Sequence, residues 1–283
     1  MIKIITDTSS DITLTQAKEM DIILLPLIVS FGEGQSYDQF ADEDFTVFYN
    51  LLETCKELPV TSLSSPNDYL THFEEAKQNG DEVVAIPISS KLSGSWQSAH
   101  LAKEMAGYDN IHIIDAKQAI IGQRLLVEHA VRLRAEGESA ADIAASVTEL
   151  SGRIRLYGTL DTLKYLIKGG RMPKTTGMIG TALNIKPVVF LEDGAVTAAG
   201  KARGRTAALS MMEKFIEKDS DFDPNFPICF GYTKDKNPMD VFADSVKKNF
   251  NIANTNTKEY PVGCVIGTHI GPDAVVVVWV VKE

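Results

Sequence analysis

Along the first half of the chain, short apolar runs alternate with stretches of helical period. Residues 2–6 form a strand-like run, residues 13–20 a short helix and residues 22–26 a second strand. Residues 42–55 repeat at helical spacing through Phe45, Phe48, Leu51 and Leu52. A helix is expected to open at Ser65, because Ser65, Pro66 and Asp68 supply an N-cap, a first-turn proline and a capping box. Residues 82–88 and 111–115 read as strands. Residues 93–105, 121–136 and 139–151 read as helices, the last opened by a Ser139/Asp142 capping box. Such alternation predicts a parallel sheet covered by helices.

The second half has a different rhythm. Residues 153–158, 186–191, 195–200, 227–233, 258–262 and 274–281 read as strands, with helices over 206–218 and 238–250. Glu192-Asp193-Gly194 is a hairpin turn, which requires antiparallel neighbours. The expected architecture is therefore α/β: a parallel-sheet α/β domain over 1–152 and a mixed or antiparallel α+β domain over 153–283. In such a layout a ligand is expected between the domains.

Composition narrows the class. At 283 residues, with 44% hydrophobic and 23% charged residues, the chain has material for a real core and is no disordered tail or disulfide miniprotein. The apolar run 274–281 is far short of the ~20 residues of a membrane span and reads as a buried strand. Met1-Ile2-Lys3-Ile4-Ile5 lacks the layout of a signal peptide. Cys55, Cys229 and Cys264 suggest neither a disulfide framework nor a zinc cluster, so a reducing cytoplasm is the expected setting.

Net charge of −10 argues against a general nucleic-acid binder. The charge is uneven, however. Between Arg153 and Arg205 ten basic residues face three acidic ones, a local +7 that leaves −17 for the rest. That block is the first asymmetry that asks for a function, and its simplest reading is a solvated basic surface.

Several enzyme motifs are absent. The Gly194–Gly200–Lys201 spacing is one residue too long for a phosphate-binding loop, and Ala202 stands where a magnesium-binding hydroxyl is needed. No GxGxxG follows the first strand, and no GxSxG exists. The five histidines form no metal-binding pair, and Asp7 reads as a turn or capping residue.

Three segments remain as candidate loops: Thr61-Ser62, the run from Ser89 to Ser95, and Thr268-His269-Ile270-Gly271-Pro272. The first two are expected together at the carboxyl ends of the parallel strands, where open sheets bind ligands. Ser93 and Gly94 at a helix start would offer a hydroxyl, free amides and the positive end of the helix dipole to an oxyanion. Ser93 reads equally as an ordinary N-cap, and His269 as a packed histidine.

In order along nearly the whole chain stand Ile5-Thr6-Asp7-Thr8-Ser9-Ser10-Asp11, Leu25-Pro26-Leu27, Thr61-Ser62 with Ser65-Pro66, and Pro87-Ile88-Ser89-Ser90-Lys91-Leu92-Ser93-Gly94-Ser95. Gly169-Gly170-Arg171, Gly204-Arg205 and His269-Ile270-Gly271-Pro272 follow. In this series the chain resembles the DegV family, bacterial fatty-acid-binding proteins that serve as the B subunit of fatty acid kinase. The resemblance implies a long-chain fatty acid between the domains and no further cofactor, with the carboxylate on Thr61, Ser62, Ser93 and Gly94 and with His269 in its hydrogen-bond network. It further implies a non-catalytic subunit. A separate ATP-dependent kinase subunit would form an acyl phosphate, which a downstream acyltransferase passes into phospholipid synthesis. Arg171, Arg203 and Arg205, with Lys201, then become candidates for docking the kinase or facing the phosphate.

The chain departs from the family pattern at Tyr37-Asp38-Gln39-Phe40, at the hydroxyl-poor Ala116-Lys117-Gln118-Ala119, and at Asp273 where glycine is usual. A ~16-carbon tail at ~0.8 kcal/mol per methylene supplies on the order of 10 kcal/mol. Association costs ~4–15 kcal/mol, so hydrogen bonds to the carboxylate, at roughly 1.5–3 kcal/mol each, are needed for useful affinity. A second reading stays open: a hydrolase or transferase for a small phosphorylated or carboxylated metabolite, with Ser93 as nucleophile and His269 as base. A long apolar tunnel would favour the carrier and a short polar cup the enzyme. The apolar or small stretch from Met178 to Leu183 is the candidate tunnel wall, and core packing explains it equally well.

Overall fold

A computed structural model of the chain describes every residue except 33–35, 39–44, 175–183 and 254–255, and only the backbone at 36–38. The candidate tunnel stretch from Met178 to Leu183 lies outside the described residues, as does most of the Tyr37–Phe40 departure. In chain order the elements are β1 (Ile2–Asp7), α1 (Leu14–Glu19), β2 (Ile23–Leu25), β3 (Ile28–Ser30), β4 (Ser36–Asp38), α2 (Thr46–Thr54) and β5 (Val60–Ser62). Next come α3 (Pro66–Asn79), β6 (Glu82–Ile86), α4 (Ser95–Ala106), β7 (Ile111–Ile113), α5 (Ile120–Glu136) and α6 (Ala140–Arg153). The remainder comprises β8 (Ile154–Thr159), α7 (Lys164–Lys168), β9 (Ile185–Glu192), β10 (Ala195–Arg203) and α8 (Arg205–Lys218). It ends with β11 (Ile228–Tyr232), α9 (Asn237–Asn249), β12 (Thr257–Pro261), α10 (Cys264–Ile270) and β13 (Val275–Val280).

The chain forms two compact units. The first holds residues 1–43, 61–152 and the turn Asp193–Ala195; the second holds 44–60, 153–192 and 196–283. In the first unit, β2-β1-β6-β7 form an all-parallel sheet. Ile5, Val83, Ala85 and Ile111 turn one face toward Tyr69 and Phe73 of α3 and Ala99 and Ala102 of α4. Helix α5 packs on β1 and β6. Burial on both faces explains why these strands read as unbroken apolar runs. Caps close the helices where the sequence marks them. Ser65 and Asp68 form the capping box of α3, and the Ser139 hydroxyl accepts the Asp142 amide at 3.1 Å. A small sheet, β4-β3-β5, adjoins the loop that leads to α3.

The second unit is built on a mixed sheet ordered β10-β9-β8-β13-β11-β12. All pairings given for it are antiparallel except β11 with β12. Strand β13 is central and wholly buried, as an eight-residue apolar run predicts. Helices α8 and α9 cover one face, where Met212, Ile216, Met239 and Phe242 pack on Phe230, Val277 and Trp279. Tyr157 stacks on Phe190, Phe215 and Trp279 at ring distances of 5.4, 4.9 and 5.5 Å. The β9–β10 turn has both Asp193 (φ 47°) and Gly194 (φ 82°) in the left-handed region, the backbone of a two-residue hairpin turn.

Three sequence expectations need correction. Thr61 and Ser62 lie in a strand, β5, of the small sheet rather than in a loop at the end of a parallel strand. Helix α4 begins at Ser95, with Gly94 as its cap residue, so Ser93 lies before the helix. His269 lies inside α10 and not in a loop. Helix α10 escapes a pattern reading because glycine and β-branched residues, poor intrinsic helix formers, fill it. Tertiary packing supplies what propensity lacks: Gly267 lies against Tyr49 of α2, whose hydroxyl donates to the Val262 carbonyl at 2.6 Å.

Candidate functional site

At the carboxyl end of the parallel sheet, two acids organise the loops. Asp7 closes β1 and is completely buried. Its carboxylate accepts the Ile88 amide at 2.9 Å, the Ser9 amide at 3.2 Å, the Ser9 hydroxyl, and Nε2 of Gln123 at 3.2 Å. Burial pushes the Asp7 carboxyl above its ordinary value, and the hydrogen bonds from Ser9, Ile88 and Gln123 oppose that rise. Gln123, from α5, also donates to Thr6 Oγ1 at 3.0 Å and to the Ile86 carbonyl at 3.2 Å. Asp7 is thus the capping residue that its position suggested, and it also anchors the chain leaving β6.

Asp115 does the same beyond β7. It accepts the Ser90 amide and the Lys117 amide, each at 3.0 Å, and the Ser90 hydroxyl. Between the two acids runs the serine-rich loop. The Ser89 amide donates to the Gln118 carbonyl at 3.0 Å, and the Ser89 carbonyl accepts the amides of Leu92 at 2.9 Å and Ser93 at 3.1 Å. Ser93 Oγ accepts the Ser95 amide at 3.3 Å and lies 3.0 Å from Ser95 Oγ. The serine therefore caps the first amide of α4 from one position further back than a standard N-cap. A Cβ at Gly94 would stand 3.0 Å from Cδ2 of Leu63, so the segment that follows Thr61 and Ser62 lies against the Ser93–Gly94 corner. Ser62 and Leu63 are exposed, and Ser93 and Gly94 are half-buried.

In the second unit, His269 is buried at 9% exposure on α10. Its ring fills the space over the end of α7: a Cβ on Gly169 would lie 2.5 Å from Nδ1 of His269. Gly170 (φ 75°) then turns the chain, and Arg171 Nη1 donates back to the Gly169 carbonyl at 2.6 Å. The Gly-Gly-Arg triplet is thereby a seat for the histidine. Burial first, and the Arg171 guanidinium second, depress the His269 pKa from 6.5 to about 4, which makes it a neutral imidazole near pH 7. Gly271 (φ 78°) passes so close to the Tyr165 ring that any Cβ there would strike it. Asp273, where the family pattern has glycine, adopts φ 58°, and its carbonyl accepts Arg205.

Four of the ten basic residues between Arg153 and Arg205 pair with acids within the block or further along the chain. Arg153 pairs with Asp223, Arg155 with Asp219 at 3.3 Å, and Lys186 with Asp161, which Arg205 also approaches at 3.7 Å. Arg171 is half-buried, whereas Lys201 and Arg203 on β10 are exposed. Sequence reasoning singled out Ser93, Gly94 and His269. It did not single out Asp115 or Gln123, and it read Gly194 only as a turn residue; their bonds join positions with no shared periodicity. Among the described residues, no group of three His, Cys, Asp or Glu side chains could hold a metal ion, and no helix is long and apolar enough to cross a membrane.

A parallel α/β unit with hydroxyl and amide donors at its carboxyl edge and a mixed-sheet unit in the same chain define an α/β protein. The chain belongs to the DegV family, described as uncharacterised proteins, whose sequence profile matches residues 1–282. A DegV domain-containing protein of Caldanaerobacter subterraneus subsp. tengcongensis is 33% identical over 273 residues, covering 96% of each chain. Among solved structures, a DegV family protein from Thermus thermophilus, titled for its fatty acid binding, superposes with a TM-score of 0.88 at 27% identity over 99% of each chain. The Streptococcus pneumoniae Fatty Acid Kinase (Fak) B3 protein, loaded with linoleic acid, shares the fold with a TM-score of 0.84 at 23% identity over 100% of each chain.

Proposed function

We propose that the chain binds a long-chain fatty acid without catalysing a reaction. The observation that carries this reading is the Ser89–Ser95 loop, held by Asp7 and Asp115 at the sheet's carboxyl edge, in a family whose Thermus thermophilus member is titled for fatty acid binding. Thr61, Ser62, Ser93 and Gly94 hold the carboxylate. His269, a neutral imidazole whose ring N–H can donate a hydrogen bond to an oxyanion, joins them as a ligand. Charge-assisted bonds of this kind supply the affinity that the tail alone lacks.

The finer steps of the proposal are those that the family resemblance implies. A separate ATP-dependent kinase subunit phosphorylates the bound carboxylate, and a downstream acyltransferase uses the acyl phosphate in phospholipid synthesis. Among the three arginines proposed for the partner, exposed Arg203 is suited to docking, while Arg171 and Arg205, half-buried, are suited to a phosphate beside His269 and Asp273. What supports the reading is that the sequence carries no phosphate-binding loop and that the Ser93 hydroxyl sits beside Ser95, 3.0 Å from its Oγ and accepting its amide at 3.3 Å.

The test is organic extraction of the purified, folded protein followed by mass spectrometry. About one equivalent of a long-chain fatty acid is expected. A protein that yields no lipid and takes none up when offered would overturn the reading. In the same protein, Ser93→Ala is expected to weaken binding of hexadecanoate roughly tenfold or more, the loss of one hydrogen bond to a charged group.

A further inference from the structure

Resting on the fatty-carboxylate reading, we infer that Ser89 and Gly194 are a positioning pair that sets the geometry of the head-group loop, and with it the preference for a charged head over a neutral one. Neither residue is among the proposed ligands. Ser89 is fully buried and works only through its neighbours. Its hydroxyl donates to the Gly194 carbonyl at 2.8 Å and accepts the Lys91 amide at 3.2 Å. A carbonyl cannot donate and an amide cannot accept, so the single hydroxyl proton has one place to go. The carbonyl of the same residue holds the Ser93 amide at 3.1 Å, one step from the proposed ligand hydroxyl. The position of Ser93 is therefore tied to the orientation of Ser89.

Gly194 is buried in the β9–β10 turn, yet the turn belongs to the first unit. It fits where no other residue would. A Cβ there would collide with Ser89 Oγ and lie 3.2 Å from Cα of Lys117, and the backbone stands at φ 82°. Lys117 donates its amide to Asp115, which also holds Ser90. The turn thus closes on the loops after β6 and β7 together. A hydrogen bond to a charged oxygen weakens steeply with misalignment, whereas an acyl tail tolerates a shift of a few tenths of an ångström. Loosening the pair should cost the carboxylate and spare the tail.

The experiment is displacement of a fluorescent long-chain probe by hexadecanoate and, separately, by hexadecan-1-ol, from the full-length chain. Ser89→Ala and Gly194→Ala are each expected to weaken hexadecanoate about tenfold and to leave hexadecan-1-ol within about twofold. Gly137→Ala is the control: it has the same left-handed backbone (φ 89°) with nothing within 4 Å, and should change neither ligand. Equal losses for acid and alcohol, or no loss for either, would overturn the pair as positioning residues while leaving the fatty-acid reading intact. A wild-type protein that hexadecanoate fails to occupy would overturn that reading and the inference with it. A thermal melt identifies which variant is folded, and either one alone decides the question.

Discussion

The two candidate regions are built by opposite means. In the first unit, the Ser89–Ser95 loop is held by hydrogen bonds: two carboxylates accept amides and hydroxyls from three loops, and each bond can be lost singly. In the second unit, His269 and its surroundings are held by excluded volume, with Gly169 against the imidazole and Gly271 against the Tyr165 ring. The first arrangement should fail by degrees and the second at once. The contrast shows that serine-rich and glycine-rich motifs in one chain can serve adjoining purposes through unrelated physics.

The largest effect is expected where volume rules. Gly271→Ala combines a backbone at φ 78° and ψ −179°, a region essentially open to glycine alone and costing ~1–3 kcal/mol, with overpacking against Tyr165 at ~1–3 kcal/mol, for a loss of roughly 4 kcal/mol. Chemical denaturation of this substitution in the wild-type chain and in a Tyr165→Ala background, where the backbone cost stays and the ring is gone, isolates the ring contact. Equal losses in the two would break the comparison.

Next comes the histidine. Its folded pKa, about 4, lies below the ordinary 6.5, so the unfolded chain takes up a proton that the folded chain refuses. Stability should therefore fall as pH drops from 6.5 toward 4 and stop falling, on this account, below 4. The full loss is roughly 3 kcal/mol. Denaturation midpoints of wild type and His269→Gln across that range give the difference: the wild type should show the extra slope and the variant should lack it. Parallel curves would remove the buried neutral imidazole from the account.

The smallest of the three lies in the hydrogen-bonded region. Asp7→Ala strands the Ile88 and Ser9 amides, each worth ~1–3 kcal/mol, but also relieves the burial of a carboxyl group, for a net loss of about 2 kcal/mol. Asp7→Asn keeps one accepting oxygen and should recover part of that loss in the same denaturation assay. If Asn behaves no better than Ala, the carboxylate's charge matters more than its capacity to accept.

The parts of this architecture that repeat were legible in the chain itself. Alternating runs announced the parallel sheet, Ser65 and Asp68 announced the start of α3, and Asp193-Gly194 announced a hairpin. Some of the shortest segments were not, although β2, β7 and α1, hardly longer, were read. Strands β3 and β4, helix α7 and helix α10 are too short for a period to emerge, and α10 owes its helix to Tyr49 and Val262. Thr61 and Ser62 looked like loop residues because three residues of strand leave no alternation to read. At the site, Ser93 and His269 stood out by residue type and motif. The bonds joining Ser89 to Gly194 and Gln123 to Asp7 span 105 and 116 positions, and such pairings leave no local trace.

Helix α2 is made early and completed late. Its Phe48, Tyr49 and Leu52 are almost wholly enclosed in the folded chain, and Tyr49 closes on Val262, 213 positions further on. At ~5–20 residues per second, the ribosome takes roughly ten to forty seconds to reach that partner. During that interval the apolar side of α2 stands exposed on the nascent chain while the neighbouring β1–β6 pair can already form. Birth order thus gives α2 a need of shelter that the enclosure of Phe48, Tyr49 and Leu52 in the finished molecule conceals.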